Sequence, residues 1–396
     1  LKRELAGRGA RLDDSVRRQG GVVRPVAHDA QARAVELVLP DDVWVTVPVD
    51  EPSLDASPYL ITAEGDRYFV AGEPLGATGR SEVRAVPMPA FYARNTSRGT
   101  PMRRIASVHG SHLVVHPGAA CGFSIRGAPC RFCVEGARPA ADREAASVTE
   151  VLEVVRAAFD EGVVESVYLN TGVFDAEDGG IAFLAPYVRA VRKHFDTLIA
   201  TQVHPPHTNQ WIDRTYAMGV DALSYNLEIF DPEVLERHCV GRARYVGRER
   251  YLEALGYAAS IFPSGTVWSD LVLGMEPVES TLAGIDALVA MGVVPVAALA
   301  RGEHPAVDPA AVGPLLAHLY QAVKGRGINM GWVRGLALCI TPLEARHFAG
   351  DGARLAVTVQ NMTRWRLGAL AARGLARFRR RLRVRNVGES FDSAHL

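Results

Sequence analysis

The spacing of apolar residues changes along the chain. Between residues 35 and 90 it follows period two, in the runs Val35-Glu-Leu-Val-Leu39, Val43-Trp-Val-Thr-Val-Pro-Val49, Tyr59-Leu-Ile-Thr62, Arg67-Tyr-Phe-Val70 and Glu82-Val-Arg-Ala-Val86. Successive side chains of a strand point to opposite faces, so this pattern predicts short strands. Turn signals at 40–42, 64–66 and 72–74 separate them. The preceding stretch, 1 to about 30, is rich in Arg, Gly and Asp and predicts a short helix or a loose end. Phe91-Tyr92 are the expected packing anchors of the connection at 87–110.

From residue 106 the pattern alternates between apolar runs and helical spacing. The apolar run His112-Leu-Val-Val-His116 predicts a first strand. Ser147-Val-Thr-Glu150 matches a capping box and opens a helix whose apolar positions include Val151, Val154, Val155 and Ala158. Strands are then expected at 164–169, 197–203, 222–227, 266–273 and 294–299. Helices are expected at 182–194, 209–218, 247–260, 279–291 and 309–324, with a helix start at Asp231-Pro232. An apolar segment at 328–340 extends or closes the sheet. Alternation of this kind implies parallel strands joined by right-handed crossovers. The expected fold class is therefore α/β: a full or partial (βα) barrel of about six parallel strands at 106–340. A small β-rich region, 1–105, precedes it, and a C-terminal helical tail, 341–396, follows.

Composition narrows the class. The chain has 396 residues and a formal net charge of +0, so no global field points to nucleic acid or to an acidic partner. No apolar run has the length of a membrane span, and the first residues lack the apolar core of a signal peptide. The expected setting is cytoplasmic. Residues 364–385 carry nine arginines among Leu and Ala. A solvated helix face is the favoured reading over contact with a membrane surface, and no nucleic acid is expected.

The candidate chemistry centres on cysteine. Three of the five lie within thirteen residues, as Cys121, Cys130 and Cys133, just after the first strand and the Pro117-Gly118 turn. A Cys-x-x-Cys places two sulfurs on one metal centre, and a third on the same loop completes a three-thiolate face. On a four-iron cluster this leaves one iron open to a non-protein ligand, since such clusters usually take four cysteines. Two alternatives stand beside it: a zinc site completed by His116 or a distant His, and buried thiols acting as small hydrophobes. Cys239 and Cys339 read as too isolated in sequence to ligate a second cluster.

Polar residues collect at the predicted strand ends. These are Asn170-Thr171-Gly172 after the second strand, Gln202 and His204 after the third, and Asn226 and Glu228 after the fourth. Gly274 and Glu276 follow the fifth, and Arg301, Glu303 and His304 the sixth. Each has an ordinary explanation as a turn former or a helix-start charge. In a barrel, however, chemistry sits at the C-terminal ends of the strands, and the cysteine loop leaves the first strand at that end. Phe123, Tyr168, Phe174 and Tyr225 are either walls that exclude water or ordinary core.

The loop, ending in Cys-x-aromatic-Cys with Phe132 as the aromatic, resembles the hallmark of the radical S-adenosylmethionine superfamily over about residues 105–305. The resemblance implies a [4Fe-4S] cluster on Cys121, Cys130 and Cys133, with S-adenosyl-L-methionine chelating the open iron. It implies reductive cleavage to a 5′-deoxyadenosyl radical that abstracts hydrogen from a small, polar substrate. An external electron donor of the flavodoxin or ferredoxin type is implied with it. Phe132, Asn170, Thr171, Gly172, Gln202, Asn226, Glu228, Gly274 and Glu276 are the implied cofactor-binding positions. The spacing of eight residues between the first two cysteines departs from the commonest pattern of three. It is similar to that of an atypical subfamily encoded beside nitrilases in bacterial gene clusters, which also carries a β-rich leader. A non-catalytic iron–sulfur or zinc protein with a basic partner-binding tail is the alternative.

Arg301, Glu303 and His304 are the expected substrate-side residues, and a guanidinium at 301 suits a carboxylate or phosphate. The Arg301→Ala variant is expected to retain cofactor cleavage and to lose product. Counting 5′-deoxyadenosine and product in one assay checks this, and equal retention of both removes Arg301 from the substrate site.

Overall fold

The computed structural model describes residues 1–26, 29–49, 54, 56–72, 75, 79–118, 120–133, 144–299, 309–333 and 335–350. Arg301, Glu303, His304 and the arginine-rich stretch 364–385 lie outside the described residues.

The β-rich region forms a seven-stranded sheet. Its strands are β1 (Arg11–Leu12), β2 (Val23–Val26), β3 (Asp29–Leu39), β4 (Val43–Val49), β5 (Leu60–Glu64), β6 (Arg67–Ala71) and β7 (Arg80–Ala85). The order is β1-β5-β6-β7-β3-β2, with β4 also on β3. The five runs of period two are β3 to β7. The opening residues are more ordered than their composition suggests. The helix Lys2–Arg8 buries Leu5 and Ala6. The Asp13 side chain caps a second helix, Asp14–Gln19, by accepting from the Ser15 N–H at 2.8 Å.

The larger sheet has eight strands in chain order: β8 (Ala106–His109), β9 (His112–Val115), β10 (Ser166–Asn170), β11 (Leu198–Gln202), β12 (Ala222–Ser224), β13 (Val267–Leu273), β14 (Val294–Leu299) and β15 (Cys339–Ile340). Neighbours from β9 to β14 pair in parallel. The two edge strands, β8 and β15, run antiparallel to their neighbours, so the sheet is mixed. No pairing joins β8 to β15 among the described residues. The architecture is thus α/β with a partial barrel, not a closed one. The segment 328–340 contributes only the short β15. No described helix is long and apolar enough to cross a membrane.

Burial alternates along the strands. In β10, Val167 and Leu169 enter the main core, while Ser166, Tyr168 and Asn170 face the other way. Helices cover the apolar face. The helix Val148–Asp160 starts at the expected capping box, Ser147 with Glu150, and buries Val151, Val154 and Val155.

One buried ion pair joins the two sheets. Arg24 Nη1 lies 2.5 Å from Glu36 Oε2, and Nη2 donates to the Val86 carbonyl at 3.0 Å. Glu36 also accepts from the Gly110 N–H, in the β8–β9 turn. Burial pushes the Glu36 carboxyl up to about 7 against the pull of Arg24. Lys2 adds an ion pair to Glu344 at 2.9 Å.

Candidate functional site

The cysteine loop leaves β9 at the C-terminal end of the parallel strands, as its position in sequence implies. Cys121 precedes a single helical turn, Gly122–Ile125. The Gly122 N–H donates to the Gly172 carbonyl at 2.8 Å. Gly172 is packed so closely that a Cβ there would lie 3.1 Å from both Cα and Cβ of Cys121. Thr171 is buried beside it and donates its N–H to the Gln202 carbonyl. The segment Asn170-Thr171-Gly172 therefore forms the floor under the first cysteine.

The second half of the loop docks on residues 238–242. The Arg131 N–H donates to the His238 carbonyl at 2.9 Å. A Cβ on Gly241 would meet the Ala128 carbonyl oxygen at 2.5 Å and Phe123 Cβ at 2.6 Å. Cys130 is buried, and the sulfur of Cys239, fully buried, lies within 4.8 Å of its sulfur. Cys239 is therefore not isolated, contrary to its place in sequence. The break between the helices Pro232–His238 and Val240–Tyr245 delivers it to the loop. Phe132 and Cys133 border the same apolar cluster of Cys130, Ile229, Leu235, Cys239, Val272 and Met275.

Arg242 stands behind this contact, 8% exposed. Its guanidinium donates to Glu228 Oε1 at 2.9 Å, to the Tyr251 hydroxyl at 3.1 Å and to the Asn226 carbonyl. Glu228 has φ 69°, which L side chains other than Asn and Asp seldom adopt. Its N–H and C=O bond β13 at Asp270 and Val272. Burial pushes its carboxyl up to about 8, opposed by Arg242. The hydrogen bond donated by Cys239 draws the Cys130 thiol below its ordinary range, and Cys239 is pushed up in return.

The remaining strand-end residues form a polar network on the inner face. Gln202 Oε1 accepts from Asn170 Nδ2 at 2.6 Å and from the Tyr168 hydroxyl at 3.0 Å. Asn226 Nδ2 donates to Asp270 Oδ2 at 2.8 Å. His112 Nδ1 and Ser166 Oγ lie 2.7 Å apart. Gly274 ends β13 with φ 88°, a glycine conformation. Glu276 is differently placed. Its carboxylate accepts from the N–H groups of Phe230 and Asp231 at 2.9 and 2.6 Å and bonds the hydroxyls of Ser280 and Thr281. It holds the turn that carries Glu228.

Of the aromatic residues, Phe123 and Phe174 pack at 4.7 Å, and His204 lies 4.6 Å from Phe123. Burial and then Arg242 keep His204 neutral well below its ordinary value. Tyr225 instead joins Leu223 and Leu227 in the main core. Arg242, Asp270 and Tyr251 escaped the reading of the sequence. Asp270 left a signal, a carboxylate inside the apolar run Val267–Leu273. Arg242 left none, since the chain has 44 Lys and Arg.

The donor set separates the metal readings. Two thiolates on one zinc lie roughly 3.8 Å apart, from a Zn–S bond of about 2.3 Å and tetrahedral angles. Cys121, Cys130 and Cys133 do not gather their sulfurs within 4.8 Å of one another; the group that does is Cys130, Glu228 and Cys239. That close group mixes one loop cysteine with two residues from outside the loop.

No family model matches the chain. A bacteriochlorophyllide c C-7(1)-hydroxylase of Chlorobaculum limnaeum is 24% identical over 260 residues, which cover 59% of this chain. The chain spans 63% of the length of that relative. Radical S-adenosylmethionine enzymes are among the solved structures to which the chain is similar. Two solved structures of radical S-adenosylmethionine enzymes are loosely alike in fold. SuiB of Streptococcus suis bound to S-adenosylmethionine is 14% identical, with a TM-score of 0.42 over 56% of this chain and 46% of that one. The coproporphyrinogen III oxidase HemN of Escherichia coli, a radical SAM enzyme, is 16% identical, with a TM-score of 0.32 over 63% and 52%. Radical S-adenosylmethionine enzymes of this kind carry a [4Fe-4S] cluster and bind S-adenosylmethionine.

Gly241→Ala is expected to displace the cysteine loop, because the new Cβ meets backbone oxygen. Iron retained after anaerobic reconstitution should fall to less than half of wild type. Gly7→Ala, whose Cβ meets nothing within 4 Å, should retain iron fully and gain roughly 0.5–1 kcal/mol of stability. Equal iron in both variants would show that the loop does not need the Gly241 contact.

Proposed function

We propose that this chain is a radical S-adenosylmethionine enzyme acting on a small polar molecule, with residues 106–340 as its catalytic unit. Cys121, Cys130 and Cys133 hold a [4Fe-4S] cluster. The observation that carries the reading is the placement of those thiols. They lie on the loop that follows β9 at the C-terminal end of the parallel strands, with Cys121 against Gly172 and with Cys130 and Cys133 at the apolar cluster around Met275. Cluster and S-adenosylmethionine together supply the one-electron reduction and the radical that removes hydrogen from a substrate carbon.

The chain's own residues have narrower tasks. Asn170, Thr171 and Gly172 form the floor beside Cys121. Asn226, Glu228 and Gly274 line the strand ends above Cys130, where hydrogen-bond acceptors suit the amino group and ribose hydroxyls of the cofactor. Glu228 Oε2 is buried with no partner in the protein, a feature that favours a donor from outside it. We assign Glu276 to holding the 230–231 turn. The polar inner face, with Tyr168, Gln202 and Asp270, supports a polar substrate. Arg301, Glu303 and His304 remain our assignment for its far side. An electron donor of the flavodoxin or ferredoxin type completes the system.

A second reading rests on one observation, the close group of Cys130, Glu228 and Cys239. Two thiols and a carboxylate are a chemically plausible zinc set. The Arg242 guanidinium, 2.9 Å from Glu228, places a fixed positive charge at the same spot and disfavours a dication.

Anaerobic reconstitution with iron and sulfide decides between them. A brown protein with about four irons that cleaves S-adenosylmethionine under dithionite is expected. Ala at Cys121, Cys130 or Cys133 should abolish that cleavage, and Cys339→Ala should spare it. A colourless protein holding one zinc would establish the second reading.

Glu228→Ala should weaken S-adenosylmethionine binding by roughly 1–3 kcal/mol, the cost of a lost hydrogen bond to a charged or buried group. Isothermal titration of the reconstituted protein measures it, and unchanged affinity removes Glu228 from the pocket.

A further inference from the structure

We infer that Cys239 is a positioning residue for the cluster, a thiol that donates its hydrogen to the sulfur of Cys130 and thereby raises the reduction potential of the group Cys130 holds. The inference rests on the cluster assignment above and concerns a residue outside the three-cysteine loop.

Three observations carry it. Cys239 is fully buried, so its S–H has no water to bond, and its sulfur lies within 4.8 Å of Cys130. A cluster-bound Cys130 thiolate has no hydrogen and can only accept, so the hydrogen available to this contact is the S–H of Cys239. Finally, the contact is built. Two helices break at Cys239, with φ −124° and ψ 53°, the adjoining His238 carbonyl takes the Arg131 N–H, and Gly241 seats against Ala128. A buried thiol flanked by these contacts to the loop is more specific than a small apolar filler needs to be.

The physical consequence follows from charge. Reduction adds an electron to the cluster and its thiolates. A donor aimed at a ligand sulfur stabilises the reduced, more negative state. A thiol is a weak donor, but burial removes competition from water. Ile229, Leu235, Val272 and Met275 enclose Cys239 with Cys130 in a compact apolar cluster, and Arg242 adds a positive charge beside the pair.

The test compares wild type with Cys239→Ala, Cys239→Val and Cys239→Ser after anaerobic reconstitution. Iron per chain is measured first. The midpoint potential is then read by titrating the reduced cluster's paramagnetic signal against a graded series of reductants. Equal iron in all four proteins is expected. Both apolar variants should shift the potential to more negative values, and Cys239→Ser, which keeps an O–H donor, should lie between them and wild type. The pair of apolar variants separates donor loss from cavity formation, because Val refills the space that Ala opens; Val also serves alone should Ala fail to fold. Coincident potentials at equal iron overturn the inference. So does loss of iron in both apolar variants with retention in Ser, which would make position 239 a ligand. A wild type that takes up no cluster instead overturns the proposed function itself.

Discussion

A single buried guanidinium ties the site together. Arg242 bonds the backbone after β12, the carboxylate of Glu228 and the hydroxyl of Tyr251 in the helix Arg248–Ile261, and it lies beside the Cys130–Cys239 contact. Burying a charge without a partner costs several kcal/mol, so its partners are fixed as firmly as it is. An arginine suits this position because its planar fork offers five donors in set directions, whereas a lysine offers one centre on a flexible stem. The same charge adds to the burial that keeps His204 neutral, helps hold Glu228 in an unfavourable backbone conformation, and makes a second cation unwelcome among the thiols. Strain of that kind costs of order 1–3 kcal/mol and persists only where the surroundings over-determine it. Here the surroundings are the ion pair and two backbone hydrogen bonds to β13.

The parallel sheet supplies the second constraint. With strands running the same way, their C-terminal ends gather side by side, and residues distant in sequence become neighbours. Asn170 pairs in register with Gln202, and Gln202 with Ser224. The inner face then carries amides, hydroxyls and a carboxylate that satisfy one another, a half-open network rather than an apolar core. The antiparallel edges cap this arrangement. β8 returns from the β-rich sheet, and the Arg24–Glu36 pair fixes that junction through the Gly110 N–H.

Much of this was legible in the order of residues. Apolar spacing located β9, β10, β11, β13 and β14 and their covering helices, because period and length are local properties of the chain. The three-thiol loop and the polar strand ends were equally plain. What escaped depended on contacts between distant segments. β12 is shorter than its apolar run because the ladder lapses after Ser224 and the chain rejoins β13 only at Glu228. Cys239 looked isolated because sequence separation conceals the approach of a helix end to a loop. Tyr225 could be read as a wall or as core, and the fold puts it in the core beside Leu223 and Leu227. Glu276 follows a strand end, and its hydrogen bonds with Phe230, Asp231, Ser280 and Thr281 could not be read from that position.

The thirteen residues of the cysteine loop include two glycines and a proline and have one helical turn, which is too little regular structure to set sulfur positions internally. Each cysteine is therefore placed from outside, and by a different part of the chain. Cys121 rests on Gly172 after β10, Cys130 on Cys239 and the arginine behind it, and Cys133 on its bond to the Cys130 carbonyl and the apolar cluster around Met275. Eight residues between the first two cysteines are long enough to reach from one strand end to the far helix break, and a shorter span would have less chain for that crossing. The wide spacing and the docking surface at 238–242 are thus two halves of one solution. The loop gives reach, and the helix break gives the precision that the loop lacks.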